Sequence, residues 1–188
     1  MMPLHSYFVL TAFTFLLIIL ILQIIRLRKF RSEFLGAPTI KKRYFYAGKI
    51  AIFTTWALFI VKAISPGLGY LSLPVAFSWV AVGLLYTGAF IMAVSMIKLG
   101  KSLKVGLPAG ETILQTTGIY RVSRNPLYCG VHLIAIASCI YFPDLLNLTL
   151  TVFGIYIHHM IIIREEQFLS HRFGKAWLIY STRVSRYL

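Results

Sequence analysis

The residues best suited to chemistry lie in a short polar stretch, residues 118–130, which stands between long apolar runs and reads GIYRVSRNPLYCG. Asn125 followed by Pro126 is typical of a helix start, because Asn can accept from a free backbone amide and proline loses no hydrogen bond there. The backbone amides of Leu127 and Tyr128 would then form an anion site. The start of a membrane helix with positively charged flanking residues would explain the same sequence equally well.

Charged residues on both sides of the next apolar runs add to this pattern. Arg121 and Arg124 precede the helix start and add positive charge to the expected anion site. Glu165 and Glu166 lie where the last apolar run ends, and adjacent helical residues point about 100° apart, so we expect the two acids to have different partners. They could be solvated acids in a basic tail. However, a carboxylate at a membrane boundary is costly unless it is paired, and a ligand ammonium would be one such partner.

Three histidines lie inside the apolar runs. His158 and His159 come one and a half to two turns before the paired acids, and His132 comes one turn after Tyr128. An ionisable residue inside a span is a functional candidate by default. A hydrogen-bonded structural histidine is the alternative, and we expect it for at least one of them.

The two polar stretches together resemble the isoprenylcysteine carboxyl methyltransferase and phospholipid methyltransferase superfamily of integral membrane enzymes. The shared pattern is roughly Gly-x-Tyr-Arg-x-x-Arg-His-Pro-x-Tyr-x-Gly, then Glu-Glu-x-x-Leu, Phe-Gly, spaced aromatics and a final Val-x-Arg. The resemblance covers residues 99–187. This chain departs from it at Asn125, where the family has His, and at Trp177, where the family has the first spaced Tyr.

The resemblance implies S-adenosylmethionine as the cofactor, a molecule with an ammonium, a carboxylate, a sulfonium and an adenine ring. Arg124 and the helix start suit its carboxylate, Glu165 or Glu166 suits its ammonium, and aromatic side chains can face the adenine or the sulfonium. We expect catalysis to rest on Arg124, Asn125 and Glu166, mainly through positioning in a dry site. The expected cofactor-binding residues are Gly118, Tyr120, Arg121, Arg124, Asn125, Pro126, Leu127, Tyr128, Glu165, Glu166 and Tyr180.

Composition sets the class of protein. The chain has 188 residues, 59% of them hydrophobic, which indicates one domain in a membrane. A net charge of +14 would favour nucleic acid for a soluble protein, but membrane topology explains it more simply and we expect no nucleic acid partner. Cys129 and Cys139, ten residues apart on one helix, would be separated by about 15 Å, too far for a disulfide. We expect no metal, because no Cys/His cluster has ligand spacing.

Hydropathy predicts an all-α integral membrane bundle of about five transmembrane helices. The apolar runs are residues 7–25, 44–64, 75–97, 127–142 and 145–163. The fourth run is marginal for spanning and could form a short helix in a hairpin with the fifth. We treat residues 1–188 as one domain, with residues 1–97 as a three-helix part. Residues 98–188 form the cofactor-binding core, which contains helices four and five and an amphipathic tail.

The basic residues predict the orientation. With the N-terminus outside, all of the 19 Lys and Arg residues except Lys62 fall on the cytoplasmic side. We therefore expect an integral protein of the bacterial inner membrane or the endoplasmic reticulum with a cytoplasmic C-terminus. Its expected partners are membrane lipids and a lipophilic or lipid substrate, with the methyl acceptor and the oligomeric state left open. The alternatives are a non-catalytic lipid-binding or assembly protein, favoured by Asn125, and, less well supported at this length, a reductase.

Overall fold

The computed structural model describes residues 2–29, 36–69, 71, 73–107 and 112–188. Within these residues the regular structure is helical, apart from one isolated antiparallel bridge between Ala37 and Leu107. The helices are α1 (Leu4–Lys29), α2 (Lys42–Ile64), α3 (Val75–Leu99), α4 (Pro126–Tyr141), α5 (Leu145–Phe173) and α6 (Lys175–Arg183), with 3₁₀ turns at Gly100–Ser102 and Gly118–Arg121. The predicted all-α membrane bundle is confirmed.

Four helices of the described chain are long and apolar enough to cross a bilayer, namely Leu4–Arg26 within α1, α2, α3 and α5. The remaining apolar helix, α4, has 16 residues, which at 1.5 Å per residue is about 24 Å. That length is below the roughly 30 Å of a hydrocarbon core. The fourth apolar run therefore forms the short helix that its length predicts.

Small residues let the helices approach closely. Gly88 of α3 crosses Gly130 of α4 so tightly that a Cβ added to Gly130 would lie 2.6 Å from the Gly88 carbonyl oxygen. Gly154 of α5 approaches α2 in the same way, since a Cβ there would lie 2.7 Å from the Ile52 side chain. These two crossings hold the bundle together as the pairs α3–α4 and α2–α5.

The main apolar core fills one half of the bundle. It joins Val9 of α1, Phe59 of α2, Leu85 of α3 and Ile134 of α4, all of which are completely buried. These residues lie on the halves of α2 and α4 that are remote from Pro126, where α4 begins. The other half of the bundle, next to the start of α4, contains the cavities described below.

A glycine turns the chain back over this second half. Gly174 ends α5 with φ 48° and also precedes α6, a left-handed conformation that glycine adopts without steric cost. The short helix α6 then buries Trp177 and Tyr180. The turn thereby brings the C-terminal residues to the start of α4.

Candidate functional site

Glu166 of α5 is the centre of an ion-pair cluster. Its carboxylate accepts from Arg124 Nε at 3.1 Å and Nη2 at 3.2 Å, and from Arg186 Nε at 3.0 Å and Nη2 at 2.9 Å. Asn125 Nδ2 donates to the same carboxylate at 2.9 Å. Glu166 is only 7% exposed, so these charged donors compensate for the removal of the carboxylate from water.

The same arginine also holds the C-terminal tail. Arg124 Nη1 donates to the carbonyl oxygens of Ser181 at 2.7 Å and Val184 at 3.0 Å, and its backbone N–H donates to Ser185 O at 2.8 Å. Asn125 Nδ2 also donates to the carbonyl oxygen of Arg186 at 3.3 Å. The start of α4, the end of α5 and the tail therefore form one hydrogen-bonded unit on one side of the bundle. The two polar stretches identified in the sequence therefore lie together in the structure, although they are far apart along the chain.

Asn125 does not act as predicted. It occupies the position before Pro126, where α4 begins as expected, but its side chain makes no capping hydrogen bond. The side-chain amide instead donates to Glu166. A charge-assisted bond to a buried carboxylate is stronger than a bond to a neutral backbone amide, so the expectation that the Asn125 oxygen caps α4 is wrong.

Glu165 has a separate environment, as predicted for adjacent helical acids. It is half-buried and accepts from the Tyr128 hydroxyl at 3.1 Å. Glu165 lines a cavity at the start of α4, whereas Glu166 is not part of its wall. The helical phase that the sequence left open is thus resolved in favour of Glu165 as the acid at the cavity.

This first cavity, which we call the polar cavity, has a volume of about 160 Å³. Its walls come from the connection after α3, the start of α4, the end of α5 and α6, and include Lys104, Gln115, Phe168 and Trp177. Tyr180 closes one side by donating to the carbonyl oxygen of Tyr120 at 2.7 Å. Burial raises the pKa of Tyr180 to about 12 and also raises that of Tyr120, so both hydroxyls stay protonated.

A second cavity, which we call the apolar cavity, lies within the bundle and has a volume of about 710 Å³. It is lined mainly by aliphatic and aromatic side chains of α1, α2 and α3. Lys104, Leu127 and Tyr128 line both cavities, so the two adjoin at the first turn of α4. The start of α4 therefore separates a polar compartment from an apolar one.

The predicted site residues divide between the cavity wall and the surrounding structure. Seven of them line the polar cavity: Tyr120, Arg124, Asn125, Leu127, Tyr128, Glu165 and Tyr180. The other four, Gly118, Arg121, Pro126 and Glu166, do not line it. Arg121 is exposed to solvent and Pro126 is buried in the start of α4.

Several residues of this region were missing from the predicted set. Arg186 pairs with Glu166, and the only signal for it was the final Val-x-Arg of the family pattern. Lys49 faces the apolar cavity, and its signal was a lysine inside an apolar run. His159 takes the structural role expected of one histidine, since its Nδ1 lies 2.6 Å from the Tyr187 hydroxyl.

Comparison with known proteins gives a family match. The family model described as phospholipid methyltransferase matches residues 76–176, which is more than half of the chain and includes Arg124, Asn125 and both adjacent acids. No curated protein and no solved structure gives a significant match. The family match confirms the resemblance that the two polar stretches predicted. The chain therefore belongs to the phospholipid methyltransferase family.

Proposed function

We propose that this protein transfers a methyl group from S-adenosylmethionine to a lipophilic acceptor. The observation that carries the proposal is the junction of the two cavities at Tyr128, Leu127 and Lys104. A water-soluble donor suits the polar cavity and a lipid chain suits the apolar one. Their reacting groups would meet at the first turn of α4.

The polar cavity offers groups of the kinds that the cofactor needs. Glu165 suits the ammonium, and Lys104 suits the carboxylate. Arg124 uses four of its five N–H groups in the hydrogen bonds to Glu166 and the tail, which leaves one for a ligand. Trp177 supplies an aromatic face for the adenine or the sulfonium.

The polar cavity is smaller than a typical ligand site. Its volume of about 160 Å³ is below the range of roughly 300–1,000 Å³ for ligand sites. A nucleoside cofactor therefore needs either part of the adjoining space or an outward movement of the wall at residues 112–115. The first would bring the ligand closer to Tyr128, which lines both cavities.

The residues of this chain would act mainly by positioning. The bound cofactor supplies a methyl group activated by its sulfonium. Glu165 would hold the ligand ammonium, and the aromatic walls would exclude water from the junction. A carboxylate acceptor needs no base, whereas an amine acceptor must lose a proton, which His158 in the wall of the apolar cavity would accept.

The positions of the basic residues also suggest which side of the membrane the polar cavity faces. We propose that the polar cavity opens to the cytoplasm, because the basic residues concentrate on the side that carries residues 118–125 and the tail. A soluble cofactor would then enter from the compartment where it is made. The N-terminus would lie on the opposite side of the membrane.

Calorimetric titration of the detergent-purified protein with S-adenosylhomocysteine, and separately with NADPH, tests the proposal. We expect binding of the first ligand only, with affinity about ten- to a hundredfold lower in Glu165→Gln, because one charged hydrogen bond is lost. Arg164→Gln is the matched control, since Arg164 is exposed on the same helix and bonds only Gln167 among the described residues. Binding of NADPH alone, or unchanged affinity in Glu165→Gln, would contradict the proposal. Transfer of labelled methyl to a lipid extract separates the enzyme from a non-catalytic binding protein.

A further inference from the structure

We propose that a third cavity, at the opposite end of the bundle from the polar cavity, binds the phosphate of an anionic phospholipid. This cavity, which we call the distal cavity, has a volume of about 200 Å³. Its walls come from the starts of α1 and α3, the ends of α2 and α4 and the turn between α2 and α3. None of its residues lines the polar or the apolar cavity, so binding there does not depend on methyl transfer.

The distal cavity lies at the depth where lipid head groups begin. It is lined by Lys62, in the last turn of α2, and by Val75, the first residue of α3. Both helices are long and apolar enough to cross a bilayer, and the chain turns back between them. A turn between two spanning helices lies at the membrane surface. The cavity is therefore within reach of the phosphate groups of one leaflet.

Lys62 supplies a fixed positive charge to the cavity wall. Its half-buried Nζ donates to the carbonyl oxygen of Pro66 at 2.6 Å and to that of Leu68. These bonds hold the ammonium beside the turn and use two of its three N–H donors. The third donor remains for a ligand.

A buried hydrogen-bond network positions the second polar group, His5. The hydroxyl of Tyr141, which is buried at the end of α4, lies 2.7 Å from His5 Nδ1 and 2.9 Å from Ser6 Oγ. The network fixes the imidazole ring and leaves its Nε2 for a ligand. Ser78 of α3 adds a hydroxyl to the same wall. Side chains from three helices therefore present hydrogen-bonding groups to one small cavity.

The charge of the distal cavity favours an anion. In the predicted topology all Lys and Arg residues except Lys62 fall on the side of the polar cavity. Both ion pairs among the described residues use Glu166, and no described carboxylate lines the distal cavity. A phosphate oxygen would accept from Lys62 in a charge-assisted hydrogen bond. An ammonium head group would find no opposite charge there.

The apolar part of the wall suits a lipid better than a free phosphate ion. Leu71, Leu73 and Val75 line the distal cavity and are exposed. Trp79, which is also exposed, lies beside the cavity with its ring centroid 6.2 Å from that of His5. Tryptophan is enriched at the membrane–water interface. The glycerol group and acyl chains of a lipid would cover these side chains, whereas a free ion would leave them uncovered.

Quenching of tryptophan fluorescence by phospholipids with brominated acyl chains tests the proposal on the full chain in nonionic detergent. Trp79 lies beside the distal cavity, whereas Trp56 and Trp177 line the other two cavities. We expect brominated phosphatidylglycerol to give a saturable component of quenching that is lost in Trp79→Phe. Brominated phosphatidylcholine should need a mole fraction about tenfold higher for half-saturation, because its ammonium has no partner in the cavity.

Variants of the cavity wall test its polar groups. Lys62→Met should lower the affinity for phosphatidylglycerol about ten- to a hundredfold, because one charged hydrogen bond is lost. Ser78→Ala should lower it about two- to tenfold, as expected for a neutral hydrogen bond, and it leaves the bonds from Lys62 to the turn in place. Lys42→Met is the matched control, because Lys42 is an exposed lysine at the other end of the same helix.

Three results would overturn the proposal. The first is equal half-saturation of the wild-type protein by phosphatidylglycerol and phosphatidylcholine, a measurement that needs no variant. The second is an affinity for phosphatidylglycerol that is unchanged in both Lys62→Met and Ser78→Ala. The third is displacement of the lipid by inorganic phosphate at a similar concentration, which would assign the cavity to a free ion. We expect inorganic phosphate to leave the quenching unchanged.

Discussion

Glu165 and Glu166 are adjacent in sequence, yet their conversion to glutamine should affect different properties of the protein. Glu166→Gln removes the charge that binds Arg124 and Arg186, and so should release the C-terminal tail. Glu165→Gln changes only the wall of the polar cavity and one acceptor of Tyr128. We therefore expect the first variant to lose local stability and the second to lose ligand affinity while keeping its fold.

The magnitude for Glu166→Gln follows from the exposure of its partners. The Arg124 side chain is 12% exposed and would keep its charge without a carboxylate, whereas the Arg186 side chain is 37% exposed and can turn to water. Removing one partner of a buried ion pair costs about 3–5 kcal/mol, and a solvent-exposed pair contributes about 0–1 kcal/mol. The lower value, about 3 kcal/mol, is appropriate, and it corresponds to roughly a hundredfold rise in the population with the tail released.

Hydrogen exchange measured by mass spectrometry can follow this release. Backbone amides of residues 177–186 should exchange about a hundredfold faster in Glu166→Gln, while α2 and α3 stay as protected as in the wild type. Glu165→Gln should leave the exchange of residues 177–186 unchanged. Equal protection of the tail in Glu166→Gln and wild type would refute the role of Glu166 in holding it. Faster exchange in Glu165→Gln would show that the two acids do not have separate roles.

Three further predictions concern packing, pH and orientation. Gly130→Ala places a Cβ 2.6 Å from a carbonyl oxygen of α3 and should cost about 1–3 kcal/mol, measured by thermal unfolding in detergent; Gly83→Ala meets nothing within 4 Å and is the control. Burial raises the pKa of Tyr180 to about 12 from an ordinary value near 10. Its stabilising effect is therefore complete below about pH 10 and lost towards pH 12, and Tyr180→Phe should lack this transition in absorbance at 295 nm. In single-cysteine variants, Ser65→Cys should react with an impermeant thiol reagent added outside intact cells and Ser181→Cys should not; the reverse result would overturn the orientation.

Much of the fold was predictable because hydropathy and local chemistry determine it. Long apolar runs can satisfy their backbone groups in lipid only as helices, and each run gave a helix. The dipeptide Asn125–Pro126 marked the start of α4 correctly, since proline is favoured at the first helical position. The separate environments of Glu165 and Glu166 followed from the 100° between adjacent helical residues.

The partners of Glu165, Glu166 and Arg124 were not predictable, because they depend on which distant segments of the chain come together in the fold. The direction in which α5 presents each acid is set by its packing on α2, through Gly48 and Gly154. The tail reaches Arg124 only because Gly174 reverses the chain after α5. Sequence periodicity carries neither the rotation of α5 nor the path after Gly174. The choice between the two acids and the role of Arg186 therefore emerged only from the tertiary structure.

The role found for Asn125 makes the replacement of the family's His at this position less important than the sequence suggested. Asn125 was the feature that supported the alternative of a non-catalytic protein, because Asn cannot titrate. That difference matters only if this position moves a proton. In the structure the side chain donates N–H to Glu166 and to a tail carbonyl oxygen, and a neutral amide makes such bonds without changing protonation. A histidine at the same position would donate through a ring N–H in the same manner. The substitution therefore conserves the function of joining α4, α5 and the tail. It leaves Glu165 in the wall of the polar cavity and Tyr128 at the junction of the two cavities.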